Sequence, residues 1–594
     1  MQKKSIQGFK TAFKKKTNEM RKYSNLYSFI VFFVFFLSAF NCVGQNIEKL
    51  FDKDDKIFSG KPFDIHGSLG LNLRSYSANG TANRQAPFIW YLHGNTNISI
   101  YKINIPFSVL LSAQSRTFSH PFHKDALKNR FTRIGASPYY KWIKLHGGHR
   151  NMKFSPLTVA GHTYLGGGLE LTPGNIRFGA FYGKLTKTEP RDLALNEPNV
   201  EVFKRTGYGA KIGYGTESTF LDLIVFKAQD DDNREDLFNT DTAVVFRNEN
   251  LVLGLNGKAT LFERVDFNLE IASSAFTKNS NEPAAGTGKF PHLPFLLKNR
   301  PSTINRWAID GSVNYRFESF LVGLGYKRVE PEYRSLGAYF FNNDLENYTL
   351  NLGFGLLENK LRIQANGGLQ RNNLFNEKAT QFTRTIGALN VNYATNAFTV
   401  GLNYSNFSSD IDFVLNADLD SLNAVVVTQQ AGVNASYTLT GNNENRHTFT
   451  AALTASQVTD DVQDPNRSSA SKMYNANLIY LFAPKDNLWK IRTRLNYNQN
   501  QLSQMLINRY GAGLGVTRQV IENKWSLGVD ANYYNSKGES IDNQTLRLRL
   551  TSPLTLGEKH RINFSILYLN RFSSSNDASK FSEVTGILGY VFSF

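Results

Sequence analysis

Cysteine is almost missing from this sequence: Cys42 is the single one among 594 residues. A lone thiol can form neither an internal disulfide nor a zinc site built on several thiolates, so scaffolds of both kinds are excluded. Long apolar runs are also scarce. Apolar residues make up 41% of the chain and the mean hydropathy is −0.34, which excludes a bundle of membrane-spanning helices.

Aromatic residues, in contrast, are plentiful. The chain holds 46 Phe, 27 Tyr and 5 Trp, which together make up 13% of its residues. Disordered chains are poor in aromatic residues, so we expect a folded protein. The formal net charge is +18, and its meaning depends on where along the chain the basic residues lie.

The longest apolar stretch lies at residues 26–40 and reads LYSFIVFFVFFLSAF. It is shorter than the roughly 20 residues that a transmembrane helix needs. Arg21 and Lys22 precede it, and small residues follow it at 43–44, as at a cleavage site. We therefore interpret residues 1–44 as a secretory signal peptide.

This signal peptide has two candidate starts. Met1 gives an unusually long basic region before the apolar stretch, whereas Met20 gives one of ordinary length, and both fit the sequence. Cys42 raises a lipoprotein signal as a further reading. Phe40 and Asn41 are poor matches to the small residues expected before a lipidated cysteine, which disfavours that reading.

Much of the positive charge belongs to this leader. Residues 1–44 contain eight basic residues and one acidic residue, so the rest of the chain has 59 basic and 48 acidic residues, a net charge of +11. That excess is no evidence for binding nucleic acid, and we expect no nucleic-acid partner.

We divide the rest of the chain into a short periplasmic segment, 45–62, and a single domain, 63–594.

The domain alternates apolar residues with polar or small ones, over segments of about ten to fourteen residues. A period of two is typical of β-strands with two unlike faces. One such segment places Trp525, Leu527, Val529, Ala531 and Tyr533 on one face, and Ser526, Gly528, Asp530 and Asn532 on the other.

Three features favour a membrane barrel over a soluble sandwich. The segments are as long as tilted membrane strands, which need about 9–11 residues, whereas soluble strands centre near 5–6. Aromatic residues lie near strand ends, as in an interfacial girdle, and short turns alternate with long polar loops. The sequence therefore predicts an all-β fold: a large antiparallel up-and-down transmembrane β-barrel of about 26 strands (24–26), with both ends of the chain on the side of the short turns.

The last residues read ILGYVFSF, with a glycine, an aromatic residue three positions later and a final aromatic residue. This pattern of Gly589, Phe592 and Phe594 resembles the C-terminal signal of outer-membrane barrels. The resemblance implies insertion by the barrel-assembly machinery into the outer membrane of a Gram-negative bacterium. The Asn-, Tyr- and Phe-rich strands and the stretch at 137–168 also resemble uncharacterised outer-membrane barrels of Bacteroidota, which implies no particular activity.

Charged residues on the polar face predict what lines the lumen. A charge that points at lipid costs about 2–4 kcal/mol at mid-depth, so these side chains are expected to point inward. The predicted lumen-lining basic residues are Arg177, Lys211, Lys360, Arg362, Arg492, Arg494, Arg547, Arg549 and Arg561. The acidic residues on the same face are fewer, namely Asp266, Glu270, Asp310 and Asp530.

Candidate residues for metal binding or catalysis form no diagnostic pattern. His146, His149 and His162 could approach one another across neighbouring strands, but their spacing does not identify a metal site. His149 with Ser155, or His162 with Thr163, could act as in an outer-membrane lipase, but nothing orients a third member. We expect polar lumen residues here, and neither a cofactor nor an enzyme.

One long loop, residues 278–301, is apolar at its centre and rich in proline. Phe290, Pro291, Pro294 and Phe295 mark this centre, and proline prevents the segment from simply extending a strand. An open barrel of about 26 strands would leak, because barrel diameter grows with strand number. We therefore expect this segment to act as a gate in the lumen or as a contact for a partner.

Together these features predict an outer-membrane conduit with a polar, net-basic lumen for a solute or an exported polymer, occluded by loops or by a partner. The alternative is a barrel subunit of an envelope secretion or surface-assembly complex, with another envelope protein as partner or plug. An outer-membrane lipid-modifying enzyme is the third hypothesis. Outer-membrane lipid is an expected partner in every case.

Overall fold

The computed structural model describes residues 61–112, 132–186, 203–231, 246–285, 296–339, 342–413, 424–441, 443–462, 468–502, 505–539, 541–573 and 580–594. Within these ranges the chain forms β-strands joined by turns and loops. No helix among them is long and apolar enough to cross a membrane.

The strands follow one another along the chain in a single sheet. The first thirteen are β1 (Phe63–Asn79), β2 (Phe88–Ile100), β3 (Ile103–Ser112), β4 (Arg133–Ala136), β5 (Tyr139–Tyr140), β6 (Ile143–Lys153), β7 (Ala160–Leu171), β8 (Ile176–Thr186), β9 (Arg205–Gly215), β10 (Phe220–Asp230), β11 (Glu249–Leu261), β12 (Val265–Thr277) and β13 (Thr303–Arg316). The others are β14 (Phe320–Val329), β15 (Leu345–Leu356), β16 (Leu361–Arg371), β17 (Thr380–Ala394), β18 (Phe398–Phe413), β19 (Ala424–Thr440), β20 (Arg446–Asp460), β21 (Ser471–Ala483), β22 (Trp489–Leu502), β23 (Met505–Ile521), β24 (Trp525–Gly538), β25 (Ile541–Leu556), β26 (His560–Ser573) and β27 (Phe581–Ser593).

The sheet closes on itself. Each strand pairs antiparallel with its neighbours in the chain, and β27 pairs with β1, where Gly67 and Phe594 exchange backbone hydrogen bonds of 2.8 and 3.0 Å. β4 and β5 are two parts of one barrel strand, because both pair with β3 on one side and β6 on the other. Pro138 lies between them and lacks the N–H that an unbroken ladder needs. The predicted antiparallel barrel is therefore confirmed, with 26 strands.

The two faces of the wall differ as the alternation predicts. Directly paired residues share a face, and the pairs Leu495–Ala512 and Val529–Leu550 belong to the outward one. The side chains of Leu495 and Val529 are each 53% exposed, which a soluble protein would bury. An apolar outward band of this kind is what membrane barrels present to lipid.

The two ends of the barrel also differ. At one end, short connections join β2 to β3, β5 to β6, and each odd-numbered strand from β7 to β25 to the strand after it. We call this the short-turn end, and both Phe63 and Phe594 lie there. Phe262 and Glu263 form one of these turns with φ of 52° and 58°, the left-handed conformation that tight hairpins require. The longer connections lie at the opposite end, the loop end.

Removal of Phe594 is expected to impair barrel closure. The change deletes both backbone hydrogen bonds to Gly67 and the ring that lies 5.5 Å from that of Phe592, together a loss of roughly 2–3 kcal/mol. A smaller fraction of the protein should then be folded, as measured by heat-modifiable migration on a gel. Phe262→Ser is a matched control because Phe262 lies at the same end and is 90% exposed. Equal folding of both variants would contradict a closing role for Phe594.

Candidate functional site: the lumen

The inner face of the barrel has two unlike walls. From β6 to β15 it carries a buried apolar cluster, whereas from β16 through β27 to β3 polar and basic side chains predominate. Paired residues on β8, β9 and β10 show most clearly that adjacent rows alternate between the inner and the outer face of the wall. Phe181, Gly209 and Phe226 pair in one inward row, and Tyr182 and Tyr208 pair in the adjacent outward one.

Two loops at the loop end fold inward and complete this apolar cluster. Residues 154–159 connect β6 to β7, and residues 330–344 connect β14 to β15. Tyr333 is fully buried and donates a 2.6 Å hydrogen bond to the carbonyl of Leu157. Eighteen buried residues belong to the cluster, which we call the inner core.

The inner core bends the wall around itself. β6 and β12 are six strand spacings apart, about 29 Å along the wall at roughly 4.8 Å per strand. The backbone N–H of Leu157 nevertheless donates a 2.7 Å hydrogen bond to Glu270 of β12. Leu157 lies only four residues beyond β6, a reach of at most about 14 Å. This half of the barrel therefore curls around a filled interior.

The basic residues on β6 to β15, which we call the filled wall, are partly neutralised by ion pairs. Asp222 is fully buried on the inner face and receives a 2.8 Å hydrogen bond from Arg177, and Lys211 lies 3.5 Å from the same carboxylate. Two predicted lumen-lining bases, Arg177 and Lys211, thus share one acid. Together the three groups carry one net positive charge rather than two.

The predicted acidic residues on this wall are engaged as well. Asp310 forms a 3.0 Å ion pair with Lys327, and Asp266 pairs with Arg316. Glu270 serves the inner core, as its contact with Leu157 shows. Of the four acids expected in the lumen, Asp530 is the one that lies outside the filled wall.

The opposite wall brings four of the predicted arginines together. Arg492 and Arg494 lie on β22, and Arg547 and Arg549 lie on β25, in two neighbouring inward rows. Among the described residues of β22 to β25, Asp530 is the single acid on the inner face. We call these four residues the arginine patch.

Glycine on β23 forms the floor of this patch. Gly513 and Gly515 separate the two pairs of arginines, with Asn532 and Asp530 beside them on β24. A Cβ at Gly513 would lie 2.3 Å from the Asn532 amide oxygen, and one at Gly515 would lie 2.4 Å from an Asp530 carboxylate oxygen. Glycine therefore lets these polar side chains lie flat against the wall and keeps the space above them open.

Three predicted basic residues lie elsewhere. Arg362 is on the inner face of β16, and Arg561 is on the inner face of β26 near the short-turn end. Lys360 lies in the turn before β16 and contacts Glu358 at 3.4 Å, so it sits at the edge of the barrel rather than on a lumen strand.

The three candidate metal-binding histidines do not converge. His146 is on the inner face, 2.6 Å from Glu170, and His162 is also inward, where its ring stacks on Tyr339 at 4.1 Å. His149 pairs with outward-facing Leu165 and therefore lies on the other face of the wall. Within the described ranges, no group of three His, Cys, Asp or Glu side chains could hold a metal ion.

The candidate Ser–His pair is separated in the same way. Ser155 lies in the inward loop, where its hydroxyl contacts that of Thr158 at 2.5 Å, whereas His149 lies on the outward face. His162 and Thr163 are neighbours in the chain, and the His162 ring contacts the Thr163 backbone carbonyl at 2.9 Å rather than its hydroxyl. Neither arrangement aligns a nucleophile with a base.

The candidate gate residues Phe290, Pro291, Pro294 and Phe295 lie outside the described residues. The described end of the same loop packs against the outer face of the barrel. Leu296 and Leu297 contact Leu251 and Ala275, a pair in the outward register of β11 and β12. The described segment that folds inward is instead 330–339, together with 154–159.

The outward-packed loop end also carries an ion-pair network. Arg300 contacts Glu249 at 2.6 Å, and Lys227 contacts the same carboxylate at 3.0 Å. Hydrogen bonds from Ser302 lower the pKa of nearby Glu282. These contacts hold residues 296–302 against the outside of the wall.

Several solved barrels have a similar arrangement of strands. The P pilus usher translocation pore PapC matches with 9% identity and a TM-score of 0.37, over 89% of this chain and 99% of that one. OccAB2 of Acinetobacter baumannii matches with 10% identity and a TM-score of 0.27, over 59% and 92%. OccK2 of Pseudomonas aeruginosa matches with 10% identity and a TM-score of 0.28, over 89% and 98%.

These likenesses carry no conclusion about a solute or a partner, because the identities are near 10% and every one of the three TM-scores is below 0.5. No protein-family model and no curated protein sequence matches the chain. The lumen itself therefore holds the functional evidence.

Proposed function

We propose that this protein is an integral outer-membrane barrel that conducts anionic, hydrophilic molecules passively along its polar wall. The arginine patch is the observation that carries this proposal. The four arginines of the patch, with Lys490 and Arg509 on the same inner face of β22 and β23 and Asp530 as the acid, give that wall a positive potential. Charged side chains lining a wet passage select ions of opposite sign.

The filled wall supports the same proposal. The inner core and its neutralised ion pairs occupy one side of the lumen, so solutes are left with the polar side. A barrel of 26 strands whose lumen is filled on one side need not leak like an empty ring of that size. Passage is confined to the wall that carries the arginine patch.

The purified protein should form discrete channels in a planar lipid bilayer. In a salt gradient, the reversal potential should show preference for chloride over potassium, because the free charge of the patch is positive. A protein that inserts and folds but never conducts would contradict the proposal. Cation preference would contradict the role of the patch.

A membrane partner is the second candidate function, and a groove on the outward face favours it. The groove has a volume of about 730 Å³, and glycines at 311 and 367 form part of it. Apolar side chains line its walls: Phe267, Leu269, Val313, Leu324, Tyr326, Tyr348 and Leu369. In that case, purification from native membranes would yield a stoichiometric second protein, and the pure barrel would be silent in a bilayer.

A further inference from the structure

The two rows of the arginine patch have the same order of residue types. Reading across the strands from β21 to β26, each row has an apolar residue, an arginine, a glycine, a short polar residue, an arginine and an apolar residue. One row is Leu481, Arg492, Gly515, Asp530, Arg549 and Leu567. The other is Ile479, Arg494, Gly513, Asn532, Arg547 and Leu569.

This order produces a cradle. The arginines of β22 and β25 stand three strand spacings apart, about 14 Å between their backbones. The floor between them is low, because Asp530 and Asn532 lie flat over the two glycines. Two pairs of long basic side chains therefore face each other across an open space.

The cradle has unused capacity for hydrogen bonding. Arg492 donates to Asp530, and Arg494 donates to Asn532 at 3.1 Å. Arg547 and Arg549 contact no acidic side chain within 4 Å among the described residues. A guanidinium group binds carboxylate, sulfate and phosphate oxygens in a forked geometry, so the cradle is chemically suited to an oxyanion.

The apolar residues at the margins strengthen this preference. Leu481 and Ile479 lie beside the β22 arginines, and Leu567 and Leu569 lie beside those of β25. Apolar neighbours limit the water around a charge, and an ion pair is stronger where less water screens it.

Toward the loop end, the inner face of β22 presents amides in place of arginines, although Arg571 lies in the first of these rows and Arg509 in the next. Asn496 donates a hydrogen bond to Asn477, and in the next row Asn498 donates to Asn475. The ring of Tyr534 lies over Gly511 in the first of these rows, 2.6 Å from where a Cβ would be. Amides both donate and accept hydrogen bonds, as the hydroxyl groups of sugars do.

We propose that the cradle and these amide rows together bind a glycan that carries oxyanions, such as carboxylate, sulfate or phosphate groups. The amide rows contact its hydroxyl groups and the cradle binds its charged groups. This inference rests on the proposed conduit function and gives it a substrate class. An acidic polypeptide would use the cradle equally well but would gain little from the amide rows.

The test uses single channels of the purified full-length protein. Tetragalacturonate and a sulfated maltotetraose, added on the loop-end side, should interrupt the current at about tenfold lower concentration than neutral maltotetraose, a difference of roughly 1.4 kcal/mol. Tetraglutamate carries the comparable charge without hydroxyl groups and should block more weakly than tetragalacturonate.

Paired variants assign the effect to the cradle. Arg494→Gln with Arg547→Gln should weaken the block by the anionic glycans about tenfold, because both belong to one row. Arg362→Gln removes an inward arginine from a distant strand and should leave the block unchanged. An equal loss in both variants would assign the block to general lumen charge and overturn the cradle.

The outcomes separate this inference from the conduit proposal. A chloride-preferring channel that tetragalacturonate and maltotetraose block equally would retain the conduit and overturn the glycan site. Equal block by tetraglutamate and tetragalacturonate would overturn the glycan and favour an acidic peptide. Absence of any channel would instead count against the conduit proposal.

Discussion

Replacing Arg492, Arg494, Arg547 and Arg549 together with glutamine should sharply reduce the anion preference of the channel. The change removes the positive charge of the two rows and leaves Asp530 as their charged member, while Lys490 and Arg509 remain basic elsewhere on the inner face of β22 and β23. Glutamine keeps much of the length and polarity of arginine, and the backbone pairing of β22 and β25 is unaffected. The measurement is the reversal potential in a salt gradient.

The size of this effect can be estimated from Coulomb's law. A unit charge about 6 Å from an ion in water contributes roughly 0.7 kcal/mol. Two such charges stabilise chloride by about 1.4 kcal/mol, a factor of about ten for that ion, and they also disfavour potassium. The chloride-to-potassium permeability ratio should therefore fall by about tenfold or more. Because mobile ions screen over about 10 Å at 0.1 M, the preference should shrink as the salt concentration is raised.

Arg362→Gln is the control for this change, since it removes one inward arginine from β16. It should shift the permeability ratio far less than the fourfold replacement. If the fourfold variant kept its chloride preference, the arginine patch would not be the selecting element.

Excision of residues 331–338 should enlarge the passage. These residues include Tyr333, Ser335 and Leu336, which bind the inward loop at 154–159 and the wall at Asn250. Without them, the inner core loses its central aromatic side chain and water enters the filled half. We expect single-channel conductance to rise about twofold or more, since conductance grows with open cross-section. Uptake of large antibiotics by whole cells should rise as well.

A pair of leucine variants tests the same idea without deleting chain. Leu157 and Leu297 are 2% and 4% exposed, but Leu157 belongs to the inner core and Leu297 packs against the outer face. Each change to alanine removes comparable packing, about 2–5 kcal/mol. Leu157→Ala should increase conductance or its fluctuations, and Leu297→Ala should not. The reverse result would move the occluding element to the 278–301 loop.

Much of the fold could be predicted from the sequence, because a barrel repeats one simple pattern. The alternation at 525–533 places its residues on the faces that the register shows, and the even strand number follows from closure. The break at Pro138 was harder to anticipate. Proline weakens a strand locally. Whether the two pieces then count as one barrel strand or two depends on how each pairs with the neighbouring strands.

Individual residues of the site were predictable to different degrees. The spacing of two residues on β22 and β25 is sufficient to predict that each pair of arginines points inward. Pairing between distant residues was not predictable, so Arg177 and Lys211 looked free although both contact Asp222.

The inner core was missed, although the sequence holds a signal for it. Along β10, Ile224, Phe226 and Ala228 point inward while Leu223 and Val225 point outward, so both faces of that strand are apolar. A strand that is apolar on both sides is buried on both sides. Lipid accounts for the apolar outward face of β10. Its apolar inward face requires another apolar surface inside the barrel, which the loops between β6 and β7 and between β14 and β15 supply.

The inner core has a consequence for how the molecule unfolds. A barrel with a wholly wet lumen is held by its closed hydrogen-bond ladder and by the lipid on its outer face. In contrast, β6 to β15 also bury apolar side chains against their own loops, as a soluble domain does. That part of the chain should therefore resist denaturant after the membrane is replaced by detergent. Melting should occur in two steps, with the lipid-dependent strands separating first and the self-packed half persisting as a cooperative unit.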